Sequence, residues 1–166
     1  RVAITTDSNS GICQKAAGMM GVFVIPMLFT IDNDEYQEGV SISNEDFFRF
    51  QEEGREIKSS QPSPGSIIEL WETLLKEYDE IVHVPMSSSL SGSFDTALAL
   101  SRDFNGRVFV VDNKRISVTQ KQSVIDAKRI AEEGGSGSVI AGILESTALD
   151  SSIYITVETL KYLKKG

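Results

Sequence analysis

Cysteine is nearly absent from this chain: Cys13 is the only one in 166 residues. A lone thiol excludes an internal disulfide and any Cys₂His₂ or Cys₄ zinc site. It also points to the cytoplasm, where structural disulfides are rare. Histidine is as scarce, with His83 alone. Basic residues are outnumbered, 16 Lys and Arg against 24 Asp and Glu, for a net charge of −8. That balance excludes nucleic-acid gripping as the main task, because phosphate neutralisation needs clustered cations. It disfavours adsorption to anionic lipid as well. The longest apolar run, Val22–Phe29, is eight residues with Pro26 inside it. No integral membrane segment can be built from it. No signal-peptide pattern opens the chain, since Asp7 comes before any long apolar stretch.

What is present is an ordinary globular composition, 40% hydrophobic and 24% charged. The length suits one full domain and the start of another. The chain begins without Met and ends on Lys164-Lys165-Gly166 after a helix-like stretch, so the front part of a longer protein is expected. Residues 1–150 are read as the first domain and 151–166 as the beginning of a second.

Strand and helix signals alternate. Val2–Thr6 is β-prone and stops at the turn cluster Asp7-Ser8-Asn9-Ser10, which can cap a helix over Ile12–Met20. Val22–Ile31 reads as one buried strand with a bend, bulge or edge at Pro26. Asp32-Asn33-Asp34 is turn chemistry. Ser43-Asn44-Glu45-Asp46 resembles a capping box ahead of a helix carrying Phe47, Phe48 and Phe50 and ending near Gly54. Lys58–Gln61 reads as a polar connector. Ser63-Pro64 supplies a cap and an N1 proline for a helix with the stripe Ile67, Leu70, Trp71, Leu74. Strands are predicted at Glu80–Met86, Arg107–Val111 and Ile153–Val157. Helices are predicted through Phe94 and Leu98, over Thr119–Glu133 and over Val139–Ala148, the last two broken at Gly134–Gly137. This order implies an α/β fold with a mainly parallel sheet flanked by helices. Ligands in such folds sit at the carboxyl ends of the strands. Thr6-Asp7-Ser8, Ser87–Ser93 and Asp112–Arg115 should converge there.

The sharpest chemical feature is Ser87-Ser88-Ser89-Leu90-Ser91-Gly92-Ser93, five serines in seven residues between a strand and a helix. Free N–H groups at a helix start favour an anion. Serine hydroxyls add rotatable donors, and Gly92 permits close approach to the backbone. With no Lys or Arg in the loop, the pocket suits a carboxylate or a single phosphate better than a triphosphate. The bland alternative is a helix start whose serines satisfy only the backbone. Ser59-Ser60-Gln61-Pro62-Ser63 is a second polar loop that can offer a hydroxyl from the opposite side, although alone it reads as a helix entry. Asp7 can hold a metal or organise the loops by accepting N–H bonds, but a turn or cap role is the simpler reading; Asp112 shares that ambiguity. His83 falls mid-strand and reads as structural. Cys13 reads as a small buried apolar residue. No P-loop, dinucleotide fingerprint or nucleophile elbow is present.

Thr5-Thr6-Asp7-Ser8-Asn9-Ser10, Ile25-Pro26, Ser59-Ser60-Gln61-Pro62, Ser87–Ser93 and Val111-Asp112-Asn113-Lys114 together resemble the DegV family in order and spacing. The resemblance spans nearly the whole chain. It implies two α/β domains binding one long-chain fatty acid, with the acyl tail in an apolar tunnel and no cofactor. It places the carboxylate on hydroxyls at Ser59 and Ser91, with Gly92 as a backbone donor. Asp7, Ser8, Gln61 and Asp112 are then candidates for the pocket rim. It further implies no catalysis by this chain. The resemblance implies that the fatty acid is presented to a separate ATP-dependent fatty acid kinase, whose acyl-phosphate product enters phospholipid synthesis. Ser59 stands where the family usually has Thr, and Ser89 where Gly is common. The family continues beyond the equivalent of Gly166, with an arginine and a histidine linked to phosphotransfer; His83 is not that histidine. Two other readings stand beside this one. One is a phosphosugar-binding or isomerase-like domain using the serine loop for a phosphate. The other is a DegV-like domain with a purely regulatory partner role.

Overall fold

A computed structural model describes residues 1–37, 42–60, 62–86, 92–112 and 120–148. Its main sheet has four parallel strands in the order β2-β1-β6-β7: β1 Val2–Asp7, β2 Phe23–Ile25, β6 Glu80–Val84 and β7 Val108–Val110. Helix α1 (Gln14–Met20) joins β1 to β2, and α4 (Ser93–Ser101) stands between β6 and β7. A second, antiparallel sheet lies between these halves in sequence, ordered β4-β3-β5: β3 Leu28–Ile31, β4 Asp34–Gln37 and β5 Ile57–Ser60. Helices α2 (Asn44–Glu52), α3 (Pro64–Leu74), α5 (Gln120–Glu132) and α6 (Gly137–Ala148) complete the described part.

The side-chain alternation of the main strands builds two cores. Ile4, Val82 and Val84 face one way and pack with Val124, Ala127 and Ile130 of α5 and Ile140 and Leu144 of α6. Ala3, Ile81, Val108 and Val110 face the other way, onto Ile67, Trp71 and Leu74 of α3 and Ala97 of α4. Each buried Val, Ile or Leu among them contributes about 1.5–3 kcal/mol by leaving water. A parallel sheet needs both faces covered in this way.

Several local expectations hold in detail. Ser43 caps α2 by accepting the Asp46 N–H, and Ser63 caps α3 by accepting that of Ser66, with Pro64 at the first helical position. Asp32 and Asn33 adopt φ of 50° and 73°, the left-handed pair that a two-residue hairpin between β3 and β4 requires.

Three expectations are corrected. Val22–Ile31 is not one strand: at Pro26 the chain leaves the main sheet and starts the second, because a proline cannot donate to a ladder. Lys58–Gln61 is not a connector: residues 57–60 form β5, paired antiparallel with β3 from Ile31↔Ile57 to Leu28↔Ser60. Cys13 is exposed rather than buried, and its Sγ accepts the Ala16 N–H at 3.4 Å as the cap of α1, which starts two residues later than Ile12. The strand expected at Ile153–Val157 and the second-domain boundary near 150 lie outside the described residues.

Candidate functional site

The strand order fixes where a site can form. From β1 the chain moves to β2 on one side, and later strands are added on the other side as β6 and β7. The direction of winding therefore reverses between β1 and β6, and in open parallel sheets the crevice at such a reversal receives the ligand. At its mouth stand Asp7, the last residue of β1, and Met86, just beyond β6.

These two are bonded. Asp7 is 1% exposed, and its Oδ2 accepts the Met86 N–H at 3.0 Å. Its Oδ1 accepts from the Gln120 amide at 2.9 Å. Asp7 thus lies beneath the edge with both oxygens engaged, organising the point from which Ser87–Ser91 departs. Ser8 does similar work toward the second sheet: its Oγ accepts the Met27 N–H at 2.8 Å. Met27 precedes Leu28, and Leu28 is paired with Ser60, with Phe29 paired with Ser59. The backbone end of β5 is thereby brought to the same side of the molecule as the carboxyl ends of β1 and β6. Asp112 is half-buried just after β7, whose neighbour Val111 donates to the His83 carbonyl at 2.9 Å.

Helix α4 supplies the last part. Side chains cap α1, α2 and α3, whereas Gly92 at the start of α4 makes no side-chain cap bond. Gly92 is exposed. First-turn N–H groups of a helix without such a cap are suited to an anion. Gln61 and Ser91 lie outside the described residues, and of Ser59 only the backbone is described.

His83 takes no part in this edge. It is fully buried mid-strand, its Nδ1 2.8 Å from the Thr5 hydroxyl and its ring edge-on to Trp71 at 5.4 Å. Burial pushes its pKa down from 6.5 to about 3, so it is a neutral core residue. Among the described residues no group of three His, Cys, Asp or Glu side chains is placed to hold a metal, and no helix is long and apolar enough to cross a membrane.

Sequence reasoning missed Gln120, whose amide also lies 2.9 Å from Thr6 Oγ1 and 3.2 Å from the Val84 carbonyl. A glutamine opening a helix carries no compositional signal. The usable clue was its place: first residue of the helix after β7, hence near the strands' carboxyl ends.

A parallel α/β domain whose strand order reverses beside Asp7 and Met86 is the class this architecture defines. The whole chain, residues 1–166, matches the model of the DegV family, described as uncharacterised proteins. The chain belongs to the DegV family. It is 31% identical over 168 residues to a DegV domain-containing protein of Caldanaerobacter subterraneus subsp. tengcongensis, covering 100% of this chain and 60% of that one. It is 35% identical over 114 residues to a DegV domain-containing 15.5 kDa protein of Staphylococcus aureus, covering 69% and 81%. Among solved structures, one described as showing fatty acid binding of a DegV family protein from Thermus thermophilus superimposes with a TM-score of 0.71 at 27% identity. It covers 99% of this chain and 54% of that one. A stearic-acid-binding protein of Eubacterium ventriosum shares the fold, with a TM-score of 0.75 at 22% identity over 87% of this chain and 52% of its own. The chain thus spans about three-fifths of the first curated relative and about half of these solved chains.

Proposed function

We propose that this domain supplies the carboxylate-binding half of a long-chain fatty-acid site. The observation that carries the reading is that Asp7 and Ser8, at the carboxyl end of β1, hold Met86, which precedes the serine loop, and Met27, which leads into the strand paired with β5; α4, which has no side-chain cap, follows that loop in the chain. The similarity to the T. thermophilus protein, described as fatty-acid binding, supports the choice of ligand. In this reading Ser59 and Ser91 donate hydroxyls to the carboxylate and Gly92 offers a backbone N–H. Gln61 and Asp112 belong to the rim.

The chemistry of such donors suggests the role. An Arg pair would hold a carboxylate tightly and occupy its oxygens. Neutral hydroxyls orient it while leaving an oxygen available to attack a phosphoryl donor, which is positioning rather than catalysis. The protein is then a non-catalytic lipid carrier, in the cytoplasm, that presents its fatty acid to an ATP-dependent kinase for acyl-phosphate formation and phospholipid synthesis.

The test is fatty-acid affinity of the full-length protein and its Ser59→Ala and Ser91→Ala variants. A lost hydrogen bond to a charged group is worth about 1.5–3 kcal/mol, so each change should weaken binding by about tenfold or more. Wild-type affinity in both variants removes the serines from the carboxylate. Supplying the purified kinase with ATP and the loaded carrier should consume ATP; no fatty-acid-dependent turnover would separate binding from presentation.

A further inference from the structure

We infer that Gln120 is a positioning residue for this ligand site, acting through Asp7 on the root of the serine loop; the ligand half of the inference rests on the reading above. Gln120 is the first residue of α5, and its amide nitrogen faces three oxygens: Thr6 Oγ1 at 2.9 Å, Asp7 Oδ1 at 2.9 Å and the Val84 carbonyl at 3.2 Å. Thr6 gives its own hydroxyl proton to the Val84 carbonyl at 2.7 Å, so its oxygen is left to accept. A carbonyl oxygen in place of the NH₂ would meet a carboxylate and a second carbonyl. The amide orientation is therefore set by its surroundings.

One side chain thus ties the carboxyl ends of β1 and β6, the two strands that border the switch point. Asp7 passes the constraint on. It is 1% exposed, and its second oxygen holds the Met86 N–H at 3.0 Å. Met86 is the residue immediately before Ser87. The sequence Gln120, Asp7, Met86 is a continuous run of hydrogen bonds from the start of α5 to the loop. A hydrogen-bonded buried carboxylate of this kind holds its donors in one geometry, as outer supports do around binding groups.

The experiment follows the Met86 amide by NMR hydrogen exchange in the full-length protein, alongside fatty-acid affinity. Gln120→Met keeps the shape and removes the donors. Gln120→Glu sets a carboxylate against Asp7. Asp7→Asn combined with Gln120→Glu reverses donor and acceptor while leaving one Asn oxygen for Met86. Exchange at Met86 should quicken by about tenfold or more in Gln120→Met, and further in Gln120→Glu. Ile81, whose N–H donates to the Arg107 carbonyl at 2.8 Å within the same sheet, should keep wild-type protection. The double variant should return part of the protection, because Asn at position 7 restores the bond to position 120 while the Val84 carbonyl still faces the Glu oxygen, and fatty-acid affinity should follow the same order. Unchanged Met86 exchange in Gln120→Met overturns the inference, as does a double variant as unprotected as Gln120→Glu or one uniform loss at Met86 and Ile81. A wild-type protein that takes up no fatty acid counts against the ligand reading instead, and Met86 exchange still decides what Gln120 does.

Discussion

Buried polar residues do two different jobs in this domain. His83 and Thr5 satisfy each other inside the sheet, beside the chain's one tryptophan, and serve packing. The neutral imidazole has a consequence for acid stability. Below pH 6.5 the unfolded chain binds a proton that the folded chain refuses until about pH 3. Stability therefore falls as pH drops through that window, by up to about 1.4 kcal/mol per pH unit from this group alone. Denaturant unfolding of wild type and His83→Asn from pH 7 to 4 should show a shallower slope in the variant; parallel slopes would refute the assignment. Asp7 does the other job, since its oxygens take one donor from each of two distant segments. Its place after a strand allowed a loop-organising carboxylate but favoured a turn or cap role. That it organises the loop together with Gln120 was not legible, because the two stand 113 positions apart in the chain.

At the scale of elements, the caps and hairpin were legible because their chemistry is local: Ser43, Ser63 and the Asp32-Asn33 pair act on residues next to them. The second sheet was not. β5 reads Ile57-Lys58-Ser59-Ser60, with one strong strand former, and is a strand only because β3 pairs with it across 25 intervening residues at the closest register. Pro26 was seen, but whether it bends a strand or ends it depends on where the partner strands lie. The break between α5 and α6 was read from its glycines, and the structure gives one of them a steric reason. A Cβ at Gly137 would stand 2.5 Å from the Phe109 ring, and the Gly137 N–H donates to Glu80 at 2.9 Å. Gly137→Ala should therefore cost about 1–3 kcal/mol by overpacking the contact of α6 with β7. Thermal unfolding checks this, and an unchanged midpoint would show that Phe109 yields freely.

For the whole molecule, the alternation of strands and helices gave the parallel sheet and placed the polar loops at its carboxyl edge. It did not show that β1 and β6 flank the switch point, because strand order follows from packing on both faces rather than from sequence order. The proposed half-site also explains why chemistry alone left phosphate and carboxylate as rivals at the serine loop. Neutral hydroxyls serve both anions, and in the proposed reading the apolar tunnel for an acyl tail is shared with a second domain. Purifying the full-length protein, extracting it with organic solvent and identifying the released molecule by mass spectrometry separates them directly. A long-chain fatty acid at about one per protein is the predicted result. A polar phosphorylated metabolite in its place would contradict the account.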